Sequence, residues 1–217
     1  MLARIRAATA DITGLSVVPR RYQPPGRGPG SADEALVSRF AERAADYRAT
    51  VRRCGAAEAA QVIADAVAAR GARRIGVPGG FPAEWSALLP EAVPDEPPLE
   101  VAALDALDGV VTTVAVAIAE TGTIVLDTGP GQGSRAFTLV PDYHLAVVGT
   151  GQIVGAVPDA VAAVDPARPL TWISGPSATS DIELRRVEGV HGPRTLDIVI
   201  VAVLTTGGRP PWHPPQS

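Results

Sequence analysis

The sequence predicts an α/β protein in which helices pack on a mostly parallel sheet. Its second half contains apolar runs of strand length that are continuous rather than alternating, at residues 110–119, 123–126, 145–148, 170–173 and 196–203. Such runs are typical of strands that are buried on both faces. The first half shows helical spacing instead, with apolar side chains at steps of 4, 4, 3 and 4 at Leu36, Phe40, Ala44, Tyr47 and Val51. Two or three N-terminal helices are therefore expected to cover the sheet.

The N-terminal region is predicted to be a helix followed by a linker. Residues 2–9 fit a short amphipathic helix, and residues 19–30 are rich in Pro, Gly and Arg. Ser31 and Glu34 have the spacing of a capping box, which satisfies two backbone N–H groups where a helix begins. We expect residues 1–31 to be helix and flexible linker, residues 32–204 to form one domain, and residues 205–217 to be a disordered tail.

The middle of the chain predicts a second helix, a short strand and a third, smaller helix. The second helix covers residues 57–70 and ends at Gly71 as its C′ residue. Cys54, just before it, is also assigned to an Ala-rich helical stretch. Residues 74–77 then predict a strand. Pro82 suits the first turn of the small helix that carries Trp85 and Leu88.

Two further segments complete the predicted order of elements. Residues 90–98 are acidic and rich in Pro, which indicates a loop. Residues 153–164 predict a helix between two of the strands.

Composition excludes several classes of function. The net charge is −4 and no basic stripe is present, so a nucleic-acid binder is not expected. Every basic residue is Arg, which excludes mechanisms that need a lysine. The one cysteine, Cys54, cannot hold an iron–sulfur cluster, and no cofactor is predicted. The longest apolar runs are about half the length of a membrane span, and no signal peptide is recognisable, so we expect a cytoplasmic protein.

Polar segments interrupt the strands, and the first contains Glu120. Ligands of open α/β sheets bind at the carboxyl ends of strands, so these segments are the candidate sites. Glu120 lies between two apolar runs and would be costly to bury without a partner. It is either a general base or nucleophile that points into a cleft, or a turn residue that faces water.

The second and third segments contain Arg135 and His144. Residues 129–136 fit G-x-G-x-x-G/A loosely, but too few residues follow for the required helix. A glycine-rich hairpin or flap is predicted, with Arg135 as an anion contact. Asp142 and His144 are two residues apart and would point to the same side of a strand. They could be an acid–base pair or metal ligands together with His191, or His144 could be structural.

The fourth segment follows the run at residues 170–173 and is the richest in polar groups. Ser174, Ser177 and Thr179 belong to a predicted strand-to-helix turn, where backbone N–H groups favour an anion. Ser177 would be the N-cap, a ligand contact or both. A rigid turn then presents His191 and Arg194, which we assign to the same site.

The chain resembles the LUD-domain family, and within it the branch of lactate-utilisation protein C. The resemblance covers about residues 40–203. Two motifs carry it most strongly, Gly175-Pro176-Ser177-x-Thr179-x-Asp181-Ile182-Glu183 and Val190-His191-Gly192-Pro193-Arg194, with Ser180 where the family pattern has Ala.

This resemblance implies a fold and a physiological setting. The fold would be a three-layer α/β/α sandwich of the NagB/RpiA/CoA-transferase type, preceded by N-terminal helices. The setting would be oxidation of lactate to pyruvate, together with two iron–sulfur partner proteins. A cluster-free accessory component that binds a small anionic ligand is the favoured interpretation. The alternative is a free-standing enzyme of the same fold that uses Glu120 as base or nucleophile, because fold analogy does not decide between them.

Overall fold

The computed structural model describes residues 2–8, 10, 24–26, 33–179, 187–188 and 192–202. The helices are α1 (Leu2–Ala8), α2 (Glu34–Asp46), α3 (Ala59–Ala69), α4 (Ala83–Ser86), α5 (Val101–Asp105), α6 (Arg135–Leu139) and α7 (Val157–Ala163). The strands are β1 (Thr50–Gly55), β2 (Arg74–Val77), β3 (Glu91–Pro94), β4 (Gly109–Thr112), β5 (Val116–Ile118), β6 (Thr123–Leu126), β7 (Tyr143–Gly149), β8 (Ile153–Val154), β9 (Thr171–Ile173), β10 (Ala178–Thr179), β11 (Val187–Glu188) and β12 (Thr195–Ala202). Short 3₁₀ turns follow β1 and β7.

The central sheet has the order β1-β12-β7-β4-β2-β3 within the described residues. Every pair in it is parallel, which confirms the α/β fold class. Strands β7 and β12 lie side by side in its middle, with His144 opposite Leu196. All seven residues of β7 are buried, as the continuous apolar run predicts.

A second, smaller sheet has the order β8-β5-β6-β9 and was not foreseen as a separate sheet. The apolar run at residues 110–119 divides into β4 of the central sheet and β5 of the small one. Strands β5 and β6 form an antiparallel hairpin, and β9 is the edge strand beside β6. Because β9 is an edge strand, Trp172 is 40% exposed, and the prediction that this run is buried on both faces is wrong.

Helices cover the β-structure on both sides, which gives the α/β/α arrangement. On one face of the central sheet, Ile63 of α3 and Trp85 of α4 pack with Leu145 and Val199. On the other face, α2 and the small sheet share a core with β7 and β12, through residues such as Phe40. Helix α7 packs on the outer face of the small sheet.

The boundary between α2 and β1 differs from the prediction. Asp33 is the N-cap and accepts a hydrogen bond from the backbone N–H of Ala35, whereas Ser31 lies outside the described residues. The helix ends at Asp46, and Arg48 adopts a positive φ of 69°, which turns the chain out of the helix. Val51 and Cys54 therefore belong to strand β1 rather than to helices, because pairing with β12 overrides the local helical pattern.

The region from α3 to β3 follows the prediction in part. Helix α3 is followed by Gly71 at a φ of 67°, as expected for a C′ glycine, and β2 has the predicted bounds. Pro82 is the N-cap of α4, one residue before the predicted position. The acidic loop contains β3, which pairs with β2, so that part of the prediction is wrong.

The helix predicted over residues 153–164 begins later than expected. Ile153 and Val154 form strand β8 beside β5, and α7 begins at Val157 with Pro158 in its first turn. The N-terminal segment reaches this helix, because the backbone N–H of Gly26 donates to the carboxylate of Asp159. No helix in the described part of the chain is long and apolar enough to cross a membrane.

Candidate functional site

A cavity of about 370 Å³ lies where the central sheet meets the loop that follows β9. His144 and Leu196, each the second residue of its strand, form one wall at the amino ends of β7 and β12. The loop at residues 174–177 forms another wall, at the carboxyl end of β9. From the sequence we expected candidate sites at the carboxyl ends of strands. Among these three strands, only β9 contributes its carboxyl end to the cavity.

His144 is buried in the wall of this cavity, with 1% of its surface exposed. Its Nε2 atom lies 2.8 Å from the hydroxyl oxygen of Thr112 on the neighbouring strand β4. Burial lowers the pKa of His144 to about 4, so the imidazole is neutral near pH 7. A neutral imidazole offers one donor and one acceptor nitrogen rather than a charge.

The loop after β9 is held by hydroxyl groups and by a close backbone contact. Ser174 is bonded to Thr123 at 2.8 Å, and Thr123 is bonded to Thr121 at 2.7 Å. Gly175 has a φ of 81°, and a Cβ atom there would lie 2.4 Å from the carbonyl oxygen of Tyr47. The loop therefore needs glycine at this position to approach the end of α2.

Arg135 contributes a cationic side chain to the cavity from the start of helix α6. Ser134 caps this helix by accepting from the backbone N–H of Phe137, whose ring is buried. The glycine-rich segment was predicted to be a hairpin or flap, but it leads into this short helix. Gly131 is fixed by backbone hydrogen bonds to Gly79 and Thr113.

Arg194 and Asp142 form an ion pair beside the cavity rather than within it. The Nε atom of Arg194 donates to both oxygens of Asp142, at 2.7 and 2.8 Å. The hydrogen bond from Arg194 holds the pKa of Asp142 below its usual value, and the same bond raises the pKa of Arg194. Gly192 and Pro193 line the cavity, whereas Arg194 does not appear among its described lining residues.

Glu120 lies in the turn of the β5–β6 hairpin and is exposed. Its backbone N–H donates to the carbonyl of Gly155 at 3.0 Å. It is not among the described residues that line the cavity. The structure thus places Glu120 as the turn residue that faces water, the second of the two alternatives.

Ser177 lines the cavity, and the two described residues that follow it form a strand instead of the first turn of a helix. Residues Ala178–Thr179 form β10, which pairs with the antiparallel strand β11, so the expected helix N-terminus at Ser177 is wrong. The backbone N–H of Ser177 instead donates to the carbonyl of Pro193 at 2.8 Å. The side chain of Thr179 and all of His191 lie outside the described residues.

The predicted metal ligands do not come together as expected. Asp142 lines a different cavity, beside Tyr143 and Thr195, whereas His144 lines the first one. The two side chains therefore do not share a site, although their spacing in an extended segment predicted that they would. Among the described residues no group of three or more His, Cys, Asp or Glu side chains is placed to hold a metal ion.

Sequence reasoning missed two residues of this site and one buried charge. The two residues are Thr112, which forms a hydrogen bond with His144, and Trp172, which lines the cavity. Trp172 could have been found in the sequence, because it lies next to a segment rich in Ser and Gly. Asp197 is fully buried in β12 and accepts from Arg52 at 2.8 Å, from Arg70 and from the hydroxyl of Tyr143. A carboxylate inside an apolar run indicates such a network.

These features define an α/β protein with an all-parallel central sheet and a cavity that combines an arginine, hydroxyl groups and a neutral histidine. Residues 37–201 match the family model of the LUD domain, and the chain belongs to this family. The family resemblance seen in the sequence is thereby confirmed.

Known relatives and a solved structure agree with this assignment. The chain is 50% identical over 170 residues to lactate utilization protein C of Deinococcus radiodurans, covering 76% of this chain and 79% of that protein. It is 34% identical over 99 residues to lactate utilization protein C of Halalkalibacterium halodurans, covering 42% and 43% of the two chains. A crystal structure of a DUF162 family protein from Deinococcus radiodurans superposes with a TM-score of 0.66 at 43% identity, covering 80% of this chain and 99% of that chain.

Proposed function

We propose that this protein is the cluster-free component of a cytoplasmic system that oxidises lactate to pyruvate, and that it binds a small anionic ligand. Two relatives carry the name lactate utilization protein C, which supports the setting. The sequence has one cysteine, too few to ligate a cluster. The family resemblance implies two iron–sulfur partner proteins, and in this proposal they carry the redox centres.

The cavity with Arg135 on its wall is the observation that carries the ligand part of this proposal. Its volume of about 370 Å³ is within the range of small-molecule sites. Arg135 provides the positive charge, and Ser174 and Ser177 also line the cavity. A hydrogen bond between a guanidinium and a carboxylate is roughly twice as strong as a neutral one, so Arg135 contributes most to anion binding.

Arg135 takes the role that the sequence assigned to Arg194. The charge of Arg194 is already balanced by Asp142. Arg135 is exposed at the cavity. Thr179 and His191 stay predicted ligand contacts. The exposed position of Glu120 gives no support to the alternative of a free-standing enzyme that uses this carboxylate as base.

Calorimetric titration of the purified chain with lactate, pyruvate and phosphate tests the anion site. We expect Arg135→Ala to weaken binding of a carboxylate at least about tenfold, since a charged hydrogen bond contributes about 1.5–3 kcal/mol. Arg39→Ala is the matched control, because Arg39 is an exposed arginine on α2 away from the cavity. Equal affinities in the two variants, or no binding by the wild type, would contradict the proposal.

Growth on lactate tests the physiological setting. A strain without this gene is expected to grow normally on glucose and poorly on lactate, and the wild-type gene should restore growth. Affinity purification from lactate-grown cells should recover two iron–sulfur proteins, recognisable by their visible absorbance. Normal growth of the deletion strain on lactate would show that the setting is wrong.

A further inference from the structure

The cavity that Arg135 and His144 line is larger than lactate needs. Its volume is about 370 Å³. One water takes up about 30 Å³ of the liquid and lactate about four times as much, so lactate would leave roughly two thirds of the cavity to water. Small-molecule sites bury most of the surface of their ligand. The size of the cavity therefore matches a molecule larger than lactate.

Apolar side chains line this cavity together with the polar ones. They come from α6, from β9 and its flanking residues, and from β12: Leu139, Leu170, Trp172, Ile173, Pro176 and Leu196. Trp172 is 40% exposed and Leu139 is half-buried, so both retain apolar surface that a ligand is able to cover. Covering such surface with an apolar group is favourable, because it releases the surface from water.

The charge of the lining is simple. Among the described residues that line the cavity, Arg135 is the one with a formal charge. Burial lowers the pKa of His144 to about 4, so this imidazole is neutral near pH 7. One guanidinium balances one carboxylate. A ligand with several phosphate groups would bring more negative charge than these residues offset.

Helix α6 presents the charge and an apolar group side by side. Arg135 and Leu139 are four residues apart in this helix, so their side chains lie on the same face. Both residues line the cavity. A ligand that places its carboxylate on Arg135 therefore has an apolar side chain one helical turn away.

We propose that the ligand of this cavity is a carboxylate with an apolar body larger than the methyl group of lactate. Arg135 binds its carboxylate, and Leu139 and the residues of β9 contact its apolar body. This inference rests on the proposed function, in which Arg135 binds an anion, and it names the class of that anion. Lactate itself would be a weak ligand of the site, because it leaves most of the apolar lining in contact with water.

Calorimetric titration of the wild-type chain with lactate, 2-hydroxyhexanoate and 3-phenyllactate tests the size of the ligand. All three probes have the same carboxylate and hydroxyl group, and they differ in the apolar body. Full burial of one more methylene group strengthens binding about fourfold. We expect both larger acids to bind at least about tenfold more tightly than lactate. This comparison needs no variant and so does not depend on the folding of one.

Hexane-1,2-diol tests whether the same site uses the charge. It has the carbon chain of 2-hydroxyhexanoate but no carboxylate. We expect it to bind at least about tenfold more weakly than the acid, since it lacks the charged hydrogen bond to Arg135.

Leu139→Ala tests the apolar contact, with Leu88→Ala as the matched control. Leu88 is 51% exposed and is not among the described residues that line the cavity. Leu139→Ala should weaken binding of 2-hydroxyhexanoate at least about threefold and change the Kd of lactate little. Leu88→Ala should change neither value. Thermal melts before titration establish that both variants are folded.

The possible results separate this inference from the proposed function. Equal Kd values of the wild type for lactate and for both larger acids overturn the inference and leave the anion site of Arg135 intact. Equal Kd values for 2-hydroxyhexanoate and hexane-1,2-diol show that the charge is not used, which contradicts the anion site. If the wild type binds none of the probes, the anion site fails and the inference fails with it.

Discussion

Arg194 donates from Nε to both carboxylate oxygens of Asp142, at 2.7 and 2.8 Å. The pair joins the residue before β12 to the residue before β7, and the backbone N–H of Thr195 also donates to the carbonyl of Asp142 at 3.2 Å. Because Gly192 and Pro193 precede Arg194 and line the cavity, this pair fixes one wall of the site from outside.

Because Asp142 and Arg194 form an exposed ion pair, we expect substitutions of either residue to have small effects on stability that are not additive. Both side chains are more than half exposed, so solvent screens their attraction. Asp142→Ala and Arg194→Ala should each lower the melting temperature slightly, and the double variant should lower it little further. Fully additive shifts would show that the two side chains act separately. Arg194→Ala should also retain most carboxylate binding, in contrast to Arg135→Ala.

The buried carboxylate of Asp197 predicts a large loss of stability. Replacement by Ala leaves Arg52, Arg70 and the hydroxyl of Tyr143 without their shared partner. Burial and the neighbouring carboxylate raise the pKa of Tyr143, so it remains a protonated donor. Breaking a buried pair costs about 3–5 kcal/mol, and the partial exposure of both arginines favours the lower end.

Urea denaturation measures this effect, with Asp105→Ala as the control because Asp105 is an exposed aspartate at the end of α5. Equal unfolding free energies for the two variants would show that the network contributes little.

The lowered pKa of His144 predicts a loss of stability in mild acid. The unfolded state takes up a proton near pH 6.5, whereas the folded state takes it up only near pH 4. Between these values the unfolded state binds more protons, so the free energy of unfolding falls as the pH falls. The difference of about 2.5 pKa units corresponds to about 3 kcal/mol.

Denaturation curves between pH 7 and pH 4 for the wild type and His144→Gln isolate this contribution. The variant should lose less stability over this range. Asp108 and Asp142 have lowered pKa values, so their contributions are lost mainly below the ordinary carboxyl value of 3.8, outside the window. Parallel curves for wild type and variant would contradict the burial of a neutral imidazole.

Gly175 predicts a stability effect that separates backbone strain from a steric clash. Gly71 and Gly175 both have positive φ values, 67° and 81°. A Cβ atom at Gly71 meets nothing within 4 Å, whereas one at Gly175 lies 2.4 Å from the carbonyl oxygen of Tyr47. Gly71→Ala should cost about 1–2 kcal/mol from strain, and Gly175→Ala should cost more.

Gly175→Ala should also weaken carboxylate binding, because the loop of Ser174 and Ser177 moves away from the end of α2. Thermal melts and calorimetry measure both quantities. If Gly175→Ala is as stable as Gly71→Ala, the loop after β9 moves aside with little loss of folding free energy, and the predicted clash is wrong.

The sequence by itself determined the fold class, the family and most of the strands. Continuous apolar runs predict buried strands because both faces of a central parallel strand lose contact with water, and β4, β7 and β12 of the central sheet follow this rule. The signal failed at Val51 and Cys54, where helical spacing continues across β1. There, the residues of the parallel partner β12 lie 147 positions further along the chain, as for Val51 and Ile198, and local periodicity carries no information about them.

The candidate site was predicted in its segments but not in its geometry. Arg135, His144 and Ser177 line one cavity, and their role as ligand contacts stays a prediction. Glu120 and Arg194 do not line it in the described part of the chain, because a hairpin turn exposes the first and Asp142 binds the second. Residue type and spacing indicate which side chains are able to act. Only the tertiary structure decides which charges are already paired: in the described part of the chain Asp142 binds Arg194, whereas Arg135 lies on the cavity wall.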